Sequence, residues 1–116
     1  MITQLPAGCH LIIDIETEID LSDGAKIQRC LEDAATACGA TILATTLHHF
    51  GKGAGVTGVL LLAESHISIH TWPEIKFAAV DIFMCGQCDP YQAIPVLQDF
   101  FRTEKLRVRS LSRNIE

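Results

Sequence analysis

The densest chemistry in the chain lies in Glu64-Ser65-His66-Ile67-Ser68-Ile69-His70-Thr71-Trp72-Pro73-Glu74, where hydroxyls, imidazoles and carboxylates alternate with apolar residues. A serine close to histidines suggests a nucleophile near a base, since a hydroxyl reacts poorly until a neighbour takes its proton. Cys85 and Cys88 follow downstream and add thiols, which ionise not far above neutral pH. His66, His70, Cys85 and Cys88 also have the chemistry of zinc ligands. They lack a second Cys-x-x-Cys or a helical His-x-x-x-His, so no metal centre is expected. A thioredoxin-like redox pair at Cys85-x-x-Cys88 is a further general reading. Such a pair precedes a helix in a parallel βαβ unit, whereas the order of elements here points to antiparallel neighbours.

Strands must position these groups. His66 to Thr71 alternates strictly, Gly58 to Ala63 is a continuous apolar run, and Phe77 to Met84 forms a further strand with Asp81 inside it. Five residues of extended chain cover about 16 Å, so Ser65 and His70 of one regular strand cannot touch. The strand bends sharply between them, or His70 serves the Ser65 of a second copy. Upstream, His10 to Glu16 reads as a strand with Leu11, Ile13 and Ile15 on one face. A helix follows, with Ser22 as N-cap, a buried stripe of Ile27, Cys30, Leu31, Ala34 and Cys38, and a stop at Gly39. Thr41 to Phe50 is a β-branched strand that ends in His48-His49-Phe50.

The loop Gly51-Lys52-Gly53-Ala54-Gly55 resembles a phosphate cradle but lacks the Gly-Lys-Ser/Thr ending and leads into a strand, which favours a flexible turn. Asp89-Pro90-Tyr91-Gln92 opens a second helix, with Ile94, Leu97, Phe100 and Phe101 on its buried face. Pro95 should bend that helix, because a proline past the first turn forfeits a backbone hydrogen bond. Leu106 to Leu111 closes the chain as a strand. This order predicts an α+β fold: a two-layer α/β sandwich, mainly antiparallel, with both helices on one sheet face. Leu60 to Leu62 and Ala78 to Ile82 suggest that the other face is apolar too, and the sheet of a second copy would cover it, giving a homodimer.

Composition narrows the partners. A chain of 116 residues, 48% of them hydrophobic, supports one domain, 1–116, and not two cores. A net charge of -5 argues against nucleic acid and suits a cationic small-molecule substrate. Arg102, Lys105, Arg107, Arg109 and Arg113 alternate with other residues and read as the wet face of a strand. Met1 to Pro6 is too short and polar for a signal peptide, and no stretch reads as membrane-bound. Cys9, Cys30, Cys38, Cys85 and Cys88 are odd in number and irregularly spaced, which fits a reducing compartment, so a cytoplasmic location is expected.

Residues 55 to 90, GVTGVLLLAESHISIHTWPEIKFAAVDIFMCGQCDP, look like the prokaryotic S-adenosylmethionine decarboxylases, which make a pyruvoyl cofactor by cutting their own backbone. The likeness extends more weakly to His10-Leu11 and to His48-His49-Phe50. It implies cleavage between Glu64 and Ser65 into a β chain of residues 1–64 and an α chain of 65–116. The Ser65 hydroxyl would attack the Glu64 carbonyl carbon, and elimination and hydrolysis would leave a pyruvoyl group. That group would accept electrons as carbon dioxide leaves the substrate. His70 would remove the Cα proton of the ester, and Thr57 stands where the family usually has a serine that assists the acyl shift. Cys85 would protonate the product carbanion. Phe50 and Trp72 would stack on adenine and attract the sulfonium, and Glu74 would hold ribose hydroxyls.

The bland alternatives are a turn role for Ser65, a polar-rim role for His66 and His70, and a core role for Phe50 and Trp72. The expected function is decarboxylation of S-adenosylmethionine for spermidine and other polyamine synthesis. Two others stand beside it: a related pyruvoyl enzyme acting on ornithine or arginine, and a partner subunit that never cuts itself.

Overall fold

The computed structural model describes residues 8–114, so the reading of Met1 to Pro6 lies outside the described residues. Six strands form a single sheet: β1 (Gly8–Glu16), β2 (Ile42–His49), β3 (Val56–Leu62), β4 (Ser65–Trp72), β5 (Phe77–Met84) and β6 (Leu106–Arg113). Their spatial order is β2-β3-β4-β5-β1-β6, and every neighbouring pair is antiparallel. Helices α1 (Gly24–Ala37) and α2 (Ala93–Phe101) pack on each other and cover one face, as the α+β sandwich requires. No helix among the described residues is long and apolar enough to cross a membrane.

Alternation decides what each face carries. Leu11, Ile13, Ile15, Leu60, Leu62, Ile67, Ile69, Ala78, Val80 and Ile82 are all buried, together with Ile27, Cys30, Leu31, Ala34 and Cys38 of the first helical segment. The apolar runs Leu60 to Leu62 and Ala78 to Ile82 therefore do not make the second face apolar as expected. Successive side chains point to opposite sides, so the helices take Leu60, Leu62, Ala78, Val80 and Ile82. The open face keeps Val59, Leu61 and Ala79 but also Ser68, Asp81 and His10. It is a mixed surface, with Val59 42%, Leu61 52% and Leu111 51% exposed. The basic residues of β6 are exposed, yet two of them pair with β1: Arg107 with Glu16, and Arg109 with Asp14 at 3.8 Å.

Two helix starts differ from expectation. Asp23, not Ser22, caps α1 and accepts from the Lys26 amide at 3.1 Å. The Ser22 hydroxyl instead donates to Asp20 at 2.6 Å, so the polar cluster before the helix is shared between two local motifs. Asp89 caps only a 3-10 turn, Pro90–Gln92, and α2 begins afresh at Ala93. Pro95 thus falls in the first turn of α2, where a missing amide does little harm. Ile94 and Phe100 are half-buried, while Ala93, Leu97 and Phe101 form the inner stripe.

One contact holds the loop end of the sheet together. The buried Thr71 hydroxyl donates to Leu21 O at 2.9 Å and accepts from the Val56 amide at 2.9 Å, tying β4 to the β1–α1 connection and to the start of β3. Beside it, Gly55 packs so close that an added Cβ would stand 2.1 Å from Thr71 O. Both partners are backbone and cannot swing aside. Gly55→Ala should therefore destabilise the fold by about 3 kcal/mol, the upper range for forced overpacking. Urea unfolding checks this as a lowered midpoint with an unchanged slope.

Candidate functional site

The residues singled out by sequence fall into two clusters at opposite ends of β4. The first surrounds the turn between β3 and β4. The register His66 with Phe83 places the residues just beyond these strand ends, Glu64 and Cys85, side by side. The Cys85 thiol donates to the Glu64 carbonyl oxygen at 2.9 Å and lies 3.7 Å from a side-chain oxygen of the same residue. Glu64 adopts φ 64, a left-handed conformation that a residue with a Cβ enters at a cost of about 1 kcal/mol or more. Ser65 follows at the first position of β4. It is 8% exposed, and its hydroxyl donates to Ala63 O at 3.3 Å. Loss of hydration pushes the Cys85 thiol above its ordinary range, and the hydrogen bond and negative charge of Glu64 add to that shift.

The second cluster lies where β3 begins and β4 ends. Thr57 and His70 are register partners, with Thr57 Oγ1 3.1 Å from His70 Nδ1. The Phe50 amide donates to Gly55 O at 3.1 Å and closes the glycine loop, which sets the Phe50 ring beside this pair. Trp72 ends β4 with its ring 6.2 Å from that of His70, and Glu74 follows in the 3-10 turn Pro73–Ile75. Phe50, Gly55, Thr57, His70, Trp72 and Glu74 line one cavity of about 350 Å³, within the range of small-molecule sites. Phe50 is 62% and Trp72 39% exposed, so neither is a core aromatic.

Ser65 and His70 are not brought together within one chain. Burial alternates without interruption along β4, so the strand does not bend sharply; Ser65 points to the helices and His70 to the open face. His66 and His70 share the open face as expected. Four residues of strand, about 13 Å, separate them, so they cannot join one tetrahedral zinc site. His66 instead neighbours Phe83 and His10, whose ring centroids lie 5.9 and 6.4 Å away.

One residue named from the sequence without a role borders the site. His48 packs edge-on against Phe50 at 4.5 Å and is in register with Thr57, so it borders the second cluster. Strand alternation from Phe50 to His48 was the available signal. His10 was noticed only as part of the resemblance; its Nε2 is 3.4 Å from Asp81 on the open face.

The sequence pattern of the family described as S-adenosylmethionine decarboxylase matches residues 9–114. The chain belongs to that family. It is 45% identical over 112 residues to the S-adenosylmethionine decarboxylase proenzyme of Methanococcus maripaludis (strain C5), covering 93% of this chain and 90% of the relative. The proenzyme of Parasynechococcus marenigrum is 49% identical over 109 residues, covering 91% and 84%. The crystal structure of the adenosylmethionine decarboxylase from Aquifex aeolicus superposes with a TM-score of 0.82 at 33% identity, over 96% of this chain and 93% of that one.

Proposed function

We propose that this protein is a proenzyme that cuts itself before Ser65 and then decarboxylates S-adenosylmethionine to supply polyamine synthesis. The observation that carries the reading is the Cys85 thiol hydrogen-bonded to the Glu64 carbonyl at 2.9 Å. A donor on that oxygen polarises the carbonyl toward attack by the hydroxyl of the next residue. Ser65 Oγ adds to the Glu64 carbonyl carbon, the C–N bond breaks as the ester forms, and the hydroxyl proton passes to the nitrogen, which becomes a free amine. A base takes the Ser65 Cα proton, the Glu64 carboxylate leaves, and water then replaces the nitrogen, which departs as ammonia. The products are a β chain, 1–64, and an α chain, 65–116, that begins with pyruvoyl.

The residues around Ser65 fit that group, since the serine itself supplies its carbons and the left-handed Glu64 releases backbone strain on cutting. Its keto carbon supplies the electron sink for decarboxylation. Every other role belongs to side chains. His70 is the base: Thr57 Oγ1 lies 3.1 Å from its Nδ1, and in the tautomer that carries the proton on Nδ1 the lone pair of Nε2 is free to act. Thr57 therefore retains the hydroxyl function. Cys85 returns a proton to the product carbon. Phe50 and Trp72 stack on adenine and attract the sulfonium, and Glu74 accepts from ribose hydroxyls.

His70 of one protomer serves the Ser65 of the other in a homodimer that uses the open sheet faces, where Val59, Leu61 and Leu111 supply exposed apolar area. Since Ser65 itself points to the helices, His70 approaches it at the sheet end, over the exposed Ala63-Glu64 turn. All five cysteines are free thiols, which suits the cytoplasm. No nucleic acid or membrane takes part.

Release of labelled carbon dioxide tests the substrate. S-adenosylmethionine should be turned over, with ornithine and arginine at background, because neither offers a ring for Phe50 and Trp72. Faster release from either amino acid would replace this reading. Cys85→Ser should still be cut, since a hydroxyl also donates to the Glu64 carbonyl, but its kcat should fall by about 100-fold for want of a suitable acid. The raised thiol pKa has a definite sign. The acid is protonated below that pKa and lost above it, so the alkaline limb of the kcat profile should lie above the range of a free cysteine and vanish in Cys85→Ser.

A further inference from the structure

We propose that Cys85 and Cys88 form a reversible disulfide that takes the protein out of action, with a small-molecule disulfide as the oxidant. The switching effect rests on the role given to Cys85 above; the site itself rests on geometry. The Cys88 amide donates to Cys85 O at 3.4 Å and closes a four-residue turn, with Gly86 at φ 67 in its first central position. Only a primed turn places positive φ there, a conformation glycine adopts without strain. Ends of such a turn lie within about 7 Å between Cα atoms, and a disulfide spans about 4.4–6.8 Å. Cys9, Cys85, Cys88 and Ser112 line one cavity of about 240 Å³ at this end of the sheet, large enough to admit a small thiol compound.

Competing pairings are disfavoured by position. Cys30 and Cys38 are buried, and burial holds their thiols protonated up to about 12 and about 11, so they attack slowly. Cys9 belongs to a strand and contacts Ser110 Oγ at 3.6 Å. Cys88 packs at the edge of the core and donates to Gly39 O at 3.5 Å, so its sulfur exchanges that one hydrogen bond for the link to Cys85.

The exchange balances without further reagents. One thiolate of the pair attacks a sulfur of the oxidant, expels one small thiol and leaves a mixed disulfide. The second protein sulfur then displaces the other small thiol. Two protein thiols lose two electrons, the oxidant's S–S bond gains them, and the two protons leave on the released thiols. Cys85 then has no S–H to donate, either to the Glu64 carbonyl or to a product carbanion.

The full-length protein, after it has cut itself, is incubated with glutathione disulfide, alkylated and mapped by peptide mass. The expected product is a Cys85–Cys88 link, lighter by two hydrogens, with decarboxylation lost in proportion to the linked fraction and regained on adding dithiothreitol. Cys88→Ser, at a residue with no part in cleavage or decarboxylation, should keep its basal activity and form no link. Absence of the link at any excess of glutathione disulfide, or a link made through Cys9 instead, overturns the proposal. A complete link with undiminished decarboxylation overturns the switch together with the role of Cys85, while a link in protein that releases no carbon dioxide from S-adenosylmethionine even when reduced refutes the functional reading alone.

Discussion

Ser65→Ala should remain a single uncut chain indefinitely and release carbon dioxide at no more than about 10⁻⁴ of the wild-type rate, because the electron sink is never made. Alanine supplies neither the attacking oxygen nor the oxygen-bearing carbon that becomes pyruvate's methyl. The structural penalty is small. Among the described residues the hydroxyl makes one hydrogen bond, to Ala63 O at 3.3 Å, worth about 1 kcal/mol. The variant should therefore fold with a thermal midpoint near that of the uncut wild type, which separates lost chemistry from lost structure. Mass spectrometry of freshly purified protein reads the outcome directly. A fragment beginning at residue 65 in the variant, or a wild-type chain that folds yet stays whole, would remove the basis for the pyruvoyl reading. A wild-type protein that cuts itself should yield an α chain with a blocked first residue.

Much of the frame was legible because a strand's faces are written at period two and a helix's at 3.6. Leu11, Ile13 and Ile15, the stripe from Ile27 to Cys38, and the limits of β5 at Phe77 and Met84 all came through unchanged. Helix starts did not. Ser22 and Asp23 are adjacent good caps, and only tertiary packing decides which one turns its oxygen to the helix. Asp89 and Pro90 mark the start of any helical turn, whether α or 3-10, so they could not reveal that α2 begins at Ala93. The left-handed Glu64 had no local signal at all, since glutamate has no preference for positive φ. The closeness of Cys85 to Glu64 was equally hidden, because it follows from the pairing of β4 with β5 and not from either segment alone. By contrast, the separation of Ser65 from His70 follows from their spacing alone: an odd interval of five puts them on opposite faces of a regular strand.

That separation leads to the sharpest test of assembly. Neither Ser65→Ala nor His70→Ala should cut itself as a homodimer, the first lacking the nucleophile and the second the base. Co-expressed in equal amounts, the two chains pair at random, so half of the dimers are mixed. In a mixed dimer the Ser65 of the His70→Ala chain faces the His70 of the Ser65→Ala chain, and that site is complete; the other site has neither group. One competent site in half of the dimers means that about a quarter of all sites should cut and acquire activity. Only the His70→Ala chain should be found cleaved, which a mass difference between the two variants identifies without any kinetic assay. A site contained within one chain gives no cleavage in either partner of the mixture, since each carries one fatal defect. The contrast is between a quarter and nothing, and it depends on no rate constant. The open face would take such a contact, as the exposed Val59, Leu61 and Leu111 share it with Thr57, His70, Ala79, His10 and Asp81, and the other chain's Ser65 would be met at its exposed Ala63-Glu64 turn. Polar groups within that contact, the Asp14–Arg109 ion pair and His10 beside Asp81, would then lose water together with their neighbours, so they favour a fixed register over a sliding one.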